Sequence, residues 1–281
     1  VIEAQNLFGP RSCEIHGIKT FNGAKADDVI LKTASVIINT KSPLASVFDD
    51  VIIGKQAILP EVDDIVYEDR LGTTGWIYRK KILVGTRDLL IHHGVPVLKE
   101  DFEKKYTRKG RKVLYLAEAG KLMAMFVVSY SADPQLKKAL RKLEKSGMTI
   151  LVRSADPFIN DESIAELFEL PDGYIRVMNS SNGRAFEKYS NLFAQKSPAY
   201  IVHNGSALGL VSAFSAAEDL QETRKLISVL ISFGSALGLG VVGLLAFVGG
   251  IDQLDAIKVA LFQAAWCIFV NLLAKIKSLF M

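Results

Sequence analysis

The sequence predicts a mixed α/β chain: a doubly wound parallel sheet, a small α+β domain inserted near its start, and a closing pair of membrane-crossing helices. Three observations carry that prediction. Residues 113–220 alternate strand-like and helix-like segments, the pattern of a parallel sheet with helices on its faces. Residues 15–112 follow another rhythm, one or two helices and then short strands. Residues 226–251 contain no charged side chain.

Within the α+β region, residues 26–36 and 46–53 read as helices leading into short strands around Ile65, Trp76 and Ile82. Leu71-Gly72-Thr73-Thr74-Gly75 reads as a turn-rich loop, since glycine tolerates turn geometry. Lys80-Lys81 precedes the strand Ile82-Leu83-Val84. In the alternating region, residues 113–117 and 122–130 are strand candidates. A helix is expected over 137–145, where Leu136, Leu140 and Leu143 repeat at helical spacing and Gly147 gives the stop signal. Thr149-Ile150-Leu151-Val152 is an apolar run of the kind buried in parallel sheets. A helix over 161–168, a strand over 174–178, a short helix over 184–189 and the strand Ala199-Tyr200-Ile201-Val202 complete the series.

At about 1.5 Å per residue, roughly 20 apolar residues cross the hydrocarbon core, so 226–251 is long enough to span. A second apolar run, 259–274, is flanked by Lys258 and Lys275, whose stems can reach the interface. The short link Asp252-Gln253-Leu254-Asp255 makes the two spans a hairpin. Arg224, Lys225, Lys275 and Lys277 mark its outer ends, while the turn carries two aspartates and Lys258. The positive-inside rule then puts both ends, and everything before Gln221, in the cytoplasm. The expected location is a multi-pass membrane protein with cytoplasmic soluble domains. Gly234, Ala236, Gly238, Gly240 and Gly243 permit close helix approach. Gln263 and Asn271 are polar at depth and read as interhelical packing hydrogen bonds, with ion ligation as the alternative.

The expected domains are 1–14, a first segment of the parallel-sheet domain; 15–112, the insert; 113–220, the rest of that domain; and 221–281, the hairpin. Net charge is +4. The basic pairs Lys104-Lys105, Arg108-Lys109 and Arg111-Lys112 read as a solvated face. No zinc-finger spacing or aromatic-basic interleaving points to nucleic acid. Cys13 and Cys267, at opposite ends, supply neither a disulfide framework nor a CxxC site. The chain opens on Val1 without an initiator Met or signal-like run, so its true start is expected upstream.

Several stretches fall in a telling order: Lys41-Ser42-Pro43-Leu44-Ala45, Gly72-Thr73-Thr74-Gly75, Val84-Gly85-Thr86-Arg87-Asp88-Leu89-Leu90 with Gly94-Val95, and Val113-Leu114-Tyr115-Leu116-Ala117. Gly120-Lys121-Leu122, Asp133-Pro134, Ala139-Leu140 and Gly147-Met148 continue it. In that order the chain resembles the P-type ATPases, in their heavy-metal-transporting branch. The resemblance implies a Rossmann-like (HAD-type) phosphorylation domain, an inserted nucleotide-binding domain and the C-terminal helix pair of a cation pump. It also implies ATP and Mg²⁺ as cofactors. The partners it implies are the lipid bilayer and the upstream membrane helices and actuator domain of the same protein. Carried over residue by residue, the ATP contacts fall on Ser42 (in place of an adenine-contacting His), Gly72, Gly75 and Gly85. The phosphorylated Asp falls on Glu3, with Ala4 in place of the following Lys. The family's Thr-Gly-Asp is similar to Ser154-Ala155-Asp156, which makes Asp156 the remaining catalytic and metal candidate. Its Gly-Asp-Gly-x-Asn-Asp falls on Val202-His203-Asn204-Gly205-Ser206-Ala207, where both aspartates are gone.

Phosphoryl transfer needs an in-line carboxylate, Mg²⁺ and positive charge against the developing negative charge. Glu3 is one methylene longer than Asp, a displacement of about 1 Å, and misplacement of that order costs around 100-fold in rate. Mg²⁺ prefers hard carboxylate oxygens, which His203 and Asn204 do not offer. The expected function is therefore the C-terminal part of a P-type ATPase-like cation-transport protein with a degenerate phosphoryl-transfer site. Two rivals stand beside it: a non-enzymatic membrane regulator or nucleotide sensor, and an active metal-cation-exporting ATPase. Asp156 before Pro157 also fits a helix-start acid, and His92-His93 a helix C-terminus.

Overall fold

The computed structural model describes residues 1–9, 12–190 and 204–279. In chain order the strands are β1 (Ile2–Glu3), β2 (Cys13–Thr20), β3 (Asp63–Glu68), β4 (Gly72–Ile77), β5 (Lys80–Gly85), β6 (Lys112–Glu118), β7 (Lys121–Tyr130), β8 (Ile150–Arg153) and β9 (Ile175–Met178). The helices are α1 (Ala4–Leu7), α2 (Ala26–Asn39), α3 (Ala45–Val51), α4 (Arg87–His92), α5 (Glu100–Lys104), α6 (Pro134–Glu144), α7 (Asp161–Phe168), α8 (Ser180–Ser190), α9 (Ala207–Phe247) and α10 (Ala256–Leu279). Contacts divide the chain into two units, Val1–Val211 and Ser212–Met281.

The first unit holds two sheets. One is parallel, in the order β1-β8-β9, and its strands come from both ends of the unit. Glu3 lies beside Arg153, and Arg153 beside Met178, so these three residues end their strands in register. The other sheet is antiparallel, in the order β2-β7-β6-β5-β4-β3. Cys13 at the start of β2 pairs with Tyr130 at the end of β7. The chain thus enters and leaves the insert on adjacent strands.

That pairing moves a boundary. The sequence places the end of the insert at 112, yet β6 and β7 hydrogen-bond within the antiparallel sheet and carry it on to Tyr130. The reason is burial. Val113 through Ala117 are all buried, and a strand covered on both faces reads as a continuous apolar run in either kind of sheet. A second correction concerns residues 71–75. The glycines belong to β4, a regular strand between β3 and β5, rather than to a loop. The expected strand at 199–202 lies outside the described residues.

Helix α2 begins with Asp27 and Asp28 in its first turn, where carboxylates complement the helix dipole. It buries Val29, Ala34, Val36 and Ile37 and turns one cation inward. Lys32 Nζ lies 2.7 Å from Asp28 Oδ2 and 2.7 Å from Glu118 Oε2 on β6. Glu118 Oε1 meets Lys80 Nζ on β5 at 2.9 Å. The four charges alternate along a line that pins helix to sheet. Burial lifts the Glu118 carboxyl, but the bonds from Lys32 and Lys80 outweigh it and hold the group below its ordinary range.

Around the parallel sheet α7 spans the residues expected, while α6 starts three residues before the expected 137 because it is capped there. Asp133 caps α6 by accepting from the Gln135 amide, with Pro134 in the first turn, where a missing N–H costs nothing. Asn160 and Ser163 form a reciprocal capping box on α7, which satisfies donors the helix cannot.

In the second unit, α9 and α10 are both long and apolar enough to cross a membrane. Trp266 Nε1 donates to the Leu230 carbonyl at 3.0 Å. Its ring fills the space a side chain at Gly234 would need, the close approach expected from the small residues. Elsewhere large apolar side chains point outward, Leu239 at 74% and Phe247 at 93% exposure. Such a surface is unfavourable in water, and helices with internally paired backbones suit lipid.

Candidate functional site

The C-terminal ends of parallel strands are where α/β sheets place their chemistry, and both acids singled out in the sequence arrive there. Glu3 is the last residue of β1 and stands just before α1, without capping it. Its Oε1 lies 3.5 Å from Arg153 Nη1 at the end of β8, and each side chain is about one-third exposed. Asp156 follows β8 by a short turn in which its own amide donates to Ser154 Oγ at 3.0 Å.

The two acids meet different partners. Asp156 is only 1% exposed. Its Oδ2 accepts from Ser42 Oγ at 2.6 Å and from the Tyr130 hydroxyl at 2.9 Å. Its Oδ1 accepts from the Phe158 amide at 2.9 Å and lies 3.1 Å from the same Tyr130 oxygen. Burial raises the Asp156 carboxyl against the pull of these donors. Burial and the Asp156 charge push the Tyr130 phenol and the neighbouring Cys13 thiol up as well. Phe8 and Phe158 flank the Tyr130 ring, with centroids at 5.8 and 6.2 Å.

Ser42, read from the sequence as a nucleotide contact, is thus joined directly to Asp156, read as catalytic. Tyr130 is the participant that sequence reasoning missed. No motif marks it; only the Cys13 pairing, made across the whole insert, brings it there.

The glycines serve packing. Gly72 and Gly85 are paired across β4 and β5. A Cβ on Gly72 would meet the Val84 carbonyl at 2.4 Å, and one on Gly85 would meet the Leu71 carbonyl at 2.3 Å. Leu89 of α4 closes over both. A Cβ on Gly75 would strike Val62 at 2.8 Å. Polar groups beside this strand are also taken. Thr74 donates to Glu68 Oε1 at 2.6 Å, and His93 Nε2 lies 2.6 Å from the same oxygen. All four residues read as ATP contacts are buried.

Of the stretch matched to the lost aspartates, Val202 and His203 lie outside the described residues. Asn204 Oδ1 accepts from the Ser206 amide and hydroxyl, and Ser206 Oγ accepts from the Gly209 amide at 3.0 Å. That is the start of α9, a capping role.

A magnesium ion requires several oxygen ligands at open positions in near-octahedral order. Asp156 is buried and both its oxygens accept hydrogen bonds, so it faces donors rather than an open position. Glu3 faces a guanidinium. Among the described residues, no group of three or more His, Cys, Asp or Glu side chains is arranged to hold a metal ion. Among the described residues, neither Glu3 nor Asp156 offers the open carboxylate oxygens that Mg²⁺ takes.

Comparison with known proteins gives the same direction as the ordered motifs. Over 176 residues the chain is 23% identical to copper-transporting ATPase 2 of Rhizobium meliloti (strain 1021). The chain resembles the heavy-metal P-type ATPases. The match takes in 62% of this chain and 21% of that relative, so the chain spans about a fifth of its length. Among solved structures, a zinc-transporting PIB-type ATPase in its E2.Pi state overlaps 94% of this chain and 47% of its own, at 12% identity and TM-score 0.43. The N-domain of HMA6, a copper-transporting P-type ATPase, overlaps 42% of this chain and 99% of its own, at 16% identity and TM-score 0.34. No family model matches the chain.

Proposed function

We propose that this chain is the trailing cytoplasmic and membrane portion of a P-type ATPase-like cation-transport protein whose phosphoryl-transfer site is degenerate. The observation that carries the reading is the state of Asp156. The acid retained from the sequence motif is closed off by Ser42, Tyr130 and the Phe158 amide. The acid at the strand end beside it, Glu3, is paired with Arg153. Acyl-phosphate chemistry needs a nucleophilic carboxylate free to attack in line. The hairpin anchors the chain in the bilayer, with Arg224, Lys225, Lys275 and Lys277 on the cytoplasmic side. Upstream membrane helices and an actuator domain complete the protein in this reading.

Incubation of the full chain in lipid nanodiscs with γ-labelled ATP and Mg²⁺ tests it. The expected result is no acid-stable label. Label recovered on Glu3 overturns the degenerate-site reading in favour of an active pump. A second reading, a non-enzymatic membrane regulator, is favoured by the closure around Asp156, which joins the insert to the parallel sheet. Under it, ATP protects residues 72–75 while no turnover appears, with or without metal ions.

A further inference from the structure

Among the described residues, two sets of side-chain hydrogen bonds tie the insert to the parallel-sheet domain. The buried one is the Asp156 cluster. Ser42 reaches it from the turn between α2 and α3, and Tyr130 from the last residue of β7. Ser42 is itself set by the Leu44 amide, which donates to its oxygen at 3.1 Å. The exposed one lies at the β3–β4 turn. There Asp69 accepts from the Ser180 amide at 2.8 Å and from the Ser180 hydroxyl at 2.9 Å, a carboxylate set on the first residue of α8. The two strands that connect the domains run side by side, and Ser131 donates its amide to the Ser12 carbonyl at 2.7 Å. Paired crossings of this kind leave hinging as the natural freedom. The two clasps oppose it.

We infer that the Ser42–Asp156–Tyr130 cluster and the Asp69–Ser180 clasp form a latch that holds the insert closed on the parallel-sheet domain without any nucleotide. Closure of two domains ordinarily draws on a ligand that binds the closed form better than the open one. Here the chain supplies that difference itself. Opening would strip Asp156 of two hydroxyl donors and expose the Tyr130 ring now packed on Phe8 and Phe158. An added nucleotide finds the closed state already populated and has little left to shift. The latch follows from these contacts whether or not the chain serves cation transport, so it stands or falls apart from the labelling experiment above.

Pulsed electron–electron distance measurement on the full chain in nanodiscs tests the latch. Spin labels go on Lys55→Cys in the insert and Asp172→Cys in the parallel-sheet domain, in a Cys267→Ser background. The expected result without nucleotide is one narrow distance distribution, unchanged when ATP is added. Ser42→Ala with Asp69→Ala should broaden it and lengthen its mean. Asp69→Ala alone, a surface change that leaves the interior intact, should add a minor longer component. A broad distribution in the unmodified chain, a narrowing on ATP, or an unaltered distribution in both variants would overturn the latch.

Discussion

The two sheets of the first unit handle buried charge in opposite ways. In the antiparallel sheet an acid, Glu118, is sandwiched between cations, and its ionised form is favoured despite burial. In the parallel-sheet domain the acid Asp156 meets only neutral donors, and burial wins. The first arrangement braces a helix against a sheet and depends on charge. The second joins two domains and depends on shape and hydrogen bonding. Burial alone therefore does not fix what an acid does; the charge of its neighbours decides.

The sharpest way to break this contrast is to remove the inward cation. Lys32→Met leaves Glu118 with only the half-exposed Lys80, and stripping one partner from a buried pair costs about 3–5 kcal/mol. Chemical unfolding of the full chain should show that loss. Lys32→Met with Glu118→Leu should recover much of it, because an apolar replacement of both partners is tolerated. Recovery of nothing would mean that the line of charges does more than balance itself.

Packing effects come next. Gly85→Ala drives a methyl into the Leu71 carbonyl, and overpacking of this kind costs about 1–3 kcal/mol. A lowered Tm reads it out. An unchanged Tm would reopen the space between β4 and β5 as a ligand site. In the parallel-sheet domain, Asn160→Ala removes the α7 cap at about 1 kcal/mol, measured the same way.

The smallest effect is also the most diagnostic, because the two acids respond to pH with opposite sign. Asp156, raised in the folded chain, adds stability below its unfolded value and loses it as pH rises through its folded value. Glu118, lowered in the folded chain, adds stability above its unfolded value and loses it as pH falls through its folded value. On mild acidification from neutral, the unmodified chain should gain stability relative to Asp156→Asn. It should lose stability relative to Glu118→Gln once pH drops below the ordinary glutamate range. Parallel melting profiles for all three would refute the assignment.

Much of the fold was legible where local rules act alone. The α7 span, the leucine spacing within α6 and the apolar hairpin follow from spacing and length. The insert boundary was not legible, since β6 and β7 look the same in either sheet until their partners are known. The site was half legible. Order along the chain brought Glu3 and Asp156 to the ends of parallel strands. It could not show that Ser42 would turn inward to Asp156, or that Tyr130 would arrive from the far end of a domain-length excursion. Glycines 72 and 85 carry a structural role that was hidden for a related reason. A missing side chain signals closeness to something, and here that something is the neighbouring strand.

One feature of the hairpin fixes its register. The indole of Trp266 sits on bare backbone at Gly234, and Phe262, one turn earlier on α10, packs at Gly238. Sliding α9 by a turn, about 5.4 Å, brings Leu230 beneath the indole in one direction and Val242 beneath the Phe262 ring in the other. Bulk bars both, so the two glycines key the helices to a single alignment.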